Sequence, residues 1–166
     1  TADLVLRTAA VTFEAVDPTG VEATEAMGAY FAELDARFPA GFDGSDALGP
    51  AAAPMSAPAG TFLLARDETG AVAGCGGVQR HDRTTGEIKR MWIAPAWRGG
   101  GLGRRLLGEL ERRAGELGYR HVVLDTNATL TEAVAMYRAC GYSPIERYND
   151  NPYAQHWFAK PLPAGT

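Results

Sequence analysis

Hydrophobic positions along the chain change period several times, and each change marks an element. Alternation in Leu4-Val5-Leu6-Arg7 predicts an opening strand, after which Asp17-Pro18-Thr19-Gly20 breaks the chain. Met27, Phe31, Leu34 and Phe38 then recur at helical steps. That spacing puts four large apolar groups on one stripe, which Pro39 and Gly41 end because proline lacks a backbone donor and disfavours a helical residue before it. Residues 39–60 are rich in Pro, Gly, Ala and Ser, offer few side chains to a core, and read as a long loop with room for one short helical turn. Such a loop is either a lid or binding wall or a floppy surface insertion.

Residues 61–66 and 71–78 read as two strands joined by the hairpin-type connection Asp67-Glu68-Thr69-Gly70. A second polar turn, His81 to Gly86, leads into Glu87-Ile88-Lys89-Arg90-Met91-Trp92-Ile93, giving an antiparallel meander that Pro95 stops. From Gly101 the period is helical. Leu102, Leu106, Leu107, Leu110, Ala114 and Leu117 form one stripe, and Gly118 is a natural C-terminal cap. His121 to Asp125 then reads as a buried strand, parallel to the run ending at Ile93 because helical crossovers return in the same direction. Thr129 and Glu132 have capping-box spacing before a second helix carrying Val134 and Tyr137, and strands around 145–148 and 156–162 close the chain. The pattern predicts one α/β or α+β domain spanning 1–166, antiparallel in its first half with a βαβ unit in its second.

Composition narrows the function. With 166 residues, 46% hydrophobic and 22% charged, the chain fits one folded domain and excludes wholesale disorder. A net charge of -4 argues against nucleic acid held on a broad cationic face. No apolar run approaches the ~20 residues that span a bilayer, and no basic segment precedes an apolar one at the start, so no membrane partner and a cytoplasmic location are expected. Cys75 and Cys140 lack any ligand or redox spacing and read as packing residues, and no metal is expected.

The most informative stretch is Arg98-Gly99-Gly100-Gly101-Leu102-Gly103, between a predicted strand and an amphipathic helix. Glycines let a ligand approach the backbone, the first free N–H groups of the helix meet it with the positive end of the dipole, and Arg98, Arg104 and Arg105 add cationic donors. A diphosphate suits such a turn. It is not a P-loop, because no Gly-Lys-Ser/Thr ending follows. Nor is it a Rossmann fingerprint: aligning Gly101 and Gly103 to the first two glycines puts Leu106 at the third, and Asp125 is then simply a strand-end residue.

These residues resemble the GNAT superfamily of acyl-CoA-dependent N-acetyltransferases. Arg98, Gly101 and Gly103 match the family's pyrophosphate motif, Arg/Gln-x-x-Gly-x-Gly/Ala, and Ala133 to Tyr142 matches its A-x-x-x-Y-x-x-x-G-F/Y segment. The resemblance runs from about residue 61 to 162. It implies a mixed, mostly antiparallel twisted sheet of about six to seven strands, helices on both faces, and a splayed fourth and fifth strand. By the same resemblance, Trp92 and Ile93 would meet the pantetheine and acetyl end of acetyl-CoA, and Arg98, Gly99, Gly100, Gly101, Leu102, Gly103 and Arg104 the pyrophosphate. Many relatives carry Asn seven residues before the tyrosine, where this chain has Leu130, so Asn127 is the candidate for that contact.

The implied reaction moves acetyl from acetyl-CoA to a primary amine of a small molecule or peptide by direct attack, releasing CoA. Tyr137 matches the family tyrosine that protonates the departing thiolate, and a phenol with pKa near 10 carries that proton at neutral pH. Backbone N–H groups near Trp92 would stabilise the oxyanion. Glu87 is either the general base or an ion-pair partner of Lys89 or a neighbouring arginine. The acceptor would enter opposite CoA, with Tyr30, Phe38, Phe42, Arg80, Tyr148 and Asn151 as wall candidates; aromatic side chains permit a flat or apolar amine and Arg80 suits a carboxylate. The alternative is an acyl-CoA sensor of the same fold. A monomer or homodimer is expected.

Overall fold

In the computed structural model, which describes residues 1–164, the chain runs α1 (Ala2–Ala9), β1 (Thr12–Ala15), α2 (Val21–Arg37), β2 (Thr61–Arg66), β3 (Val72–Arg80) and β4 (Thr85–Ile93). It continues with α3 (Leu102–Glu116), β5 (His121–Thr126), α4 (Thr131–Ala139), β6 (Ser143–Pro144) and β7 (His156–Pro161). The strands form one sheet of order β1-β2-β3-β4-β5-β7-β6, in which only the β4–β5 pair is parallel. This is the mixed, mostly antiparallel α/β fold that the pattern and the resemblance imply.

Alternation along β2 explains how both faces are covered. Leu63 joins Leu106, Leu107 and Leu110 of α3, while Phe62 and Leu64 join Ala23, Ala26 and Met27 of α2. Tyr137 of α4 packs into the α3 side with Leu124 and Phe158. In α2 the expected stripe is inward, with Met27, Leu34 and Phe38 buried, and the helix stops where Phe38 turns extended before Pro39. Residues 45–47 and 49–52 form two short 3-10 turns within the long loop.

Three expected elements differ. Residues 4–7 are helical: Leu4 and Thr8 face inward at helical spacing while Val5 and Leu6 are exposed, an arrangement that a four-residue apolar run cannot distinguish from strand alternation. The capping box at Thr129 and Glu132 does not form, because Asn127 holds the Thr129 amide and hydroxyl at 2.9 and 2.7 Å and the helix starts at Thr131 with Leu130 as its cap. The strand expected at 145–148 shrinks to Ser143–Pro144. Beyond it Arg147 bonds the Asn149 carbonyl at 2.7 Å, and Asn149 donates to Asp125 at 2.5 Å, drawing this segment across the end of β5.

Candidate active site

Parallel pairing of β4 and β5 is brief. It joins Thr85, Gly86 and Glu87 to His121, Val122 and Val123, and the rest of β4 has no β5 partner. A bulge bends β4 at this place. Cys75 opposes Trp92 and Gly77 opposes Lys89, so Arg90 and Met91 share the position opposite Gly76. Arg90 has φ 57°, a left-handed conformation costly for a side-chain-bearing residue. The strands therefore splay, as the resemblance implies.

Two cavities of about 430 and 420 Å³ open beside the splay and share Tyr30, Leu34, Met91, Leu130, Ala133 and Tyr137. The smaller contains Trp92, Ile93, Arg98, Gly101, Gly103 and Arg104, together with Gly99 and Leu102. It thus gathers the predicted carrier-binding residues except Gly100 and Asn127. Gly99 and Gly101 have φ 89° and 86°, and a Cβ on either would meet nothing within 4 Å, so an open backbone surface precedes the N-terminus of α3. That surface, with Arg98 and Arg104 beside it, fits a diphosphate.

Gly100 serves α1 instead. A Cβ there would lie 2.6 Å from Thr8 Oγ1 and 2.8 Å from Leu4 Cγ. Arg105 is also committed elsewhere, donating to the carbonyls of Thr8 at 2.5 Å and Val11 at 3.1 Å, so it is a strut for the N-terminal segment and no anion ligand. Arg98 pairs with Glu33 at 2.5 Å and donates to the Ile93 carbonyl at 3.0 Å. Glu33 also accepts from Trp92 Nε1 at 3.3 Å. Arg37 continues this chain of charge to Glu132 at 2.6 Å, tying α2 to α4, and its hydrogen bond holds the Glu132 carboxyl down at about 2.

The larger cavity contains Tyr30, Phe38, Phe42 and Asn151, four of the six expected acceptor residues. Arg80 and Tyr148 lie outside both linings, Arg80 at the paired end of the sheet opposite Gly86. Tyr148 instead donates to Glu87 at 2.8 Å, and Gln79 donates to the same carboxylate at 3.3 Å. Glu87 is buried, 4.0 Å from Lys89 Nζ, and lines neither cavity. Asn127 is in the larger cavity, with its amide donating to the Tyr153 carbonyl at 2.6 Å. Its side chain is spent on loop geometry, and the smaller cavity does not reach it.

Tyr137 belongs to both cavities and is 8% exposed. Burial, and secondarily the charge of Asp125, push its phenol up to about 12. Tyr30, also in both cavities, is raised for the same leading reason.

Sequence reasoning set Asp125 aside as a strand-end residue and Lys89 as an ion-pair partner, and passed over Arg90 and Tyr153; all four line the larger cavity, and the unremarked Glu33 lines the smaller. Asp125 accepts from Asn149 at 2.5 Å and Asn151 at 3.2 Å. Its place at the end of a parallel strand was the available signal, since such ends border ligand crevices. Arg90 carried no signal, because a bulge is not written in local periodicity.

Fold and site together pair a splayed mixed sheet with a glycine turn that fits a diphosphate. Residues 24–142 match the model of the acetyltransferase (GNAT) family, and the chain belongs to that family of N-acetyltransferases. An uncharacterised N-acetyltransferase of Schizosaccharomyces pombe is 40% identical over 57% of this chain, a match spanning 59% of the relative's own length. The aminoglycoside N(6')-acetyltransferase type 1 of Stenotrophomonas maltophilia is 30% identical over 78% of this chain and 89% of its own. A phosphinothricin acetyltransferase from Sinorhizobium meliloti, solved with acetyl-CoA, superposes with TM-score 0.69 at 19% identity, over 92% of this chain and 89% of its own. No helix among the described residues is long and apolar enough to cross a membrane.

Proposed function

We propose that the protein transfers the acetyl group of acetyl-CoA to a primary amine of a small molecule or peptide by direct attack. The observation that carries this reading is the meeting of two cavities at Tyr137, one bordered by the glycine turn and the other by aromatic and charged side chains. Arg98, Arg104 and the amides around Gly99 and Gly101 would hold the diphosphate, and Trp92 and Ile93 the pantetheine arm. Acetyl-CoA bound there supplies an acetyl thioester.

Tyr137, held protonated by burial, donates its phenolic proton to the departing sulfur. N–H groups of β4 left without β5 partners stabilise the negative charge that develops on the carbonyl oxygen. Asp125 keeps lone pairs for the acceptor's ammonium after accepting from two amides, and takes a proton from it, directly or through water. Glu87, bonded to Tyr148 and Gln79, positions the base of β4 and takes no proton from the amine. Residues 42–44 and 46–47 of the long loop form the acceptor wall.

The test is thiol release from acetyl-CoA across amines, amino acids, polyamines and peptides. Amine-dependent release supports transfer. Acetyl-CoA binding with no turnover anywhere would replace it with a sensing role.

A further inference from the structure

The β4 limb of the splay carries an unneutralised cation into the acceptor cavity. Arg90 lies in that lining, and no carboxylate among the described residues pairs with it. Its guanidinium contacts Met27 Sδ at 3.2 Å and stands 5.6 Å from the centroid of Phe31, neither of which cancels a charge. The acidic groups felt by this guanidinium are Tyr30 and Cys75, and burial raises both, Cys75 to about 12, so they are neutral at neutral pH. Half-burying an arginine without a counter-charge is costly, and holding it at φ 57° adds backbone strain.

The rest of the lining describes what would meet that charge. The ring of Phe42 stands 5.3 Å from that of Phe31, 5.9 Å from Phe38 and 4.6 Å from Tyr153, so these rings pack on one another and give the cavity one continuous aromatic wall against which a flat or apolar body can lie. Across the cavity, on the β5 limb, Asp125 offers a carboxylate. One limb therefore presents a cation and the other an anion to the same cavity, which the rings also line.

We infer that the acceptor is an amino acid type of amine, carrying a carboxylate that pairs with Arg90 and an aromatic or apolar body that lies against the aromatic wall, while Asp125 receives its ammonium. The inference rests on the N-acetyltransfer reading and names its substrate class. A guanidinium fork matches a planar carboxylate through two parallel bonds. A dianion is disfavoured by Asp43, Asp46 and Asp125 in the same wall. Lys89 and Arg90 oppose a second cation near the β4 limb, but Asp43, Asp46 and Asp125 outnumber them in the lining, so polycations are the competing class that the experiment must include.

The experiment compares wild-type kcat/KM for phenylalanine with that for phenylalaninamide and phenethylamine, adding spermidine and an aminoglycoside as polycations. The carboxylate-bearing amine is expected to win by about tenfold or more, the worth of a charge-assisted hydrogen bond. Arg90→Gln should erase the preference and Arg90→Lys restore part of it. Calorimetry with phenylpropanoate, which has no amine to acetylate, should show binding that phenylpropanamide lacks. Equal or better turnover of the amides or polycations by the wild type overturns the inference and leaves acetyl transfer intact. Phenylpropanoate binding without acetylation of any amine supports the carboxylate site and removes the transfer reading instead. Absence of phenylpropanoate binding overturns the inference.

Discussion

The Glu33 carboxylate stands 2.5 Å from the Arg98 guanidinium, so α2 holds the arginine that the diphosphate reading assigns to the ligand. Burial pushes the Glu33 pKa up, but the hydrogen bonds from Arg98 and Trp92 and the nearby guanidinium charge together outweigh it and leave the carboxyl below its ordinary value. A diphosphate entering the turn must compete for Arg98 and sit near that anion. Glu33→Gln removes the charge and leaves a side chain able to accept from Trp92. CoA affinity measured by calorimetry should rise about three- to tenfold at low salt, with the gain shrinking as salt is added. Weaker binding would mean that Glu33 instead orients Arg98 for the ligand.

Tyr137→Phe should lower kcat about a hundredfold and change acetyl-CoA affinity little, because the phenol acts on a proton and both residues fill the same space. The wild-type pH profile carries a second check. A raised phenol pKa keeps the donor protonated beyond the ordinary value, so kcat should rise with amine deprotonation and show no loss from Tyr137 until about pH 12. A fall in kcat centred near the ordinary phenol value of about 10 would mean that burial does not raise this phenol, and unchanged kcat in the Phe variant would remove Tyr137 as the donor.

Asp125 and Glu87 compete for the role of the amine's partner. Asp125 lines the acceptor cavity and Glu87 does not, so Asp125→Asn should reduce kcat/KM for the acceptor by about tenfold or more. Glu87→Gln should leave the pH dependence of kcat/KM in place. The reverse pattern, with the acidic limb moving only in the Glu87 variant, would return the base to β4.

Neighbouring glycines separate ligand contact from packing. Gly100→Ala would drive a Cβ against Thr8 and Leu4, and should cost about 1–3 kcal/mol of stability in thermal or denaturant unfolding by displacing α1. Gly101→Ala meets no neighbour but must hold φ 86°, costing about 1–2 kcal/mol, and should weaken CoA binding more than Gly100→Ala does. Equal effects of the two on CoA affinity would mean that both glycines touch the ligand.

Long elements were legible because their burial follows one period. The α3 stripe of Leu102, Leu106, Leu107 and Leu110 is buried as spaced, and the glycine turn stands where strand gives way to helix. Short segments were not: Leu4 to Arg7 fit either period, and the path after Pro144 is set by the distant Asp125 holding Asn149 and Asn151. The proposed carrier side of the site is nearly contiguous in sequence, so Trp92 to Arg104 could be read together. The proposed acceptor side draws on α2, the long loop, β4, β5 and the segment before β7, and no local spacing joins Arg90 to Asp125 or Tyr153.

The cradle at Gly99 and Gly101 is tested most directly by titrating the wild-type protein with acetyl-CoA and with acetyl-pantetheine, which lacks the diphosphate. If Arg98, Arg104 and the turn amides grip that group, acetyl-CoA binds about a hundredfold tighter or more, the equivalent of two charge-assisted hydrogen bonds. Equal affinities would contradict the account.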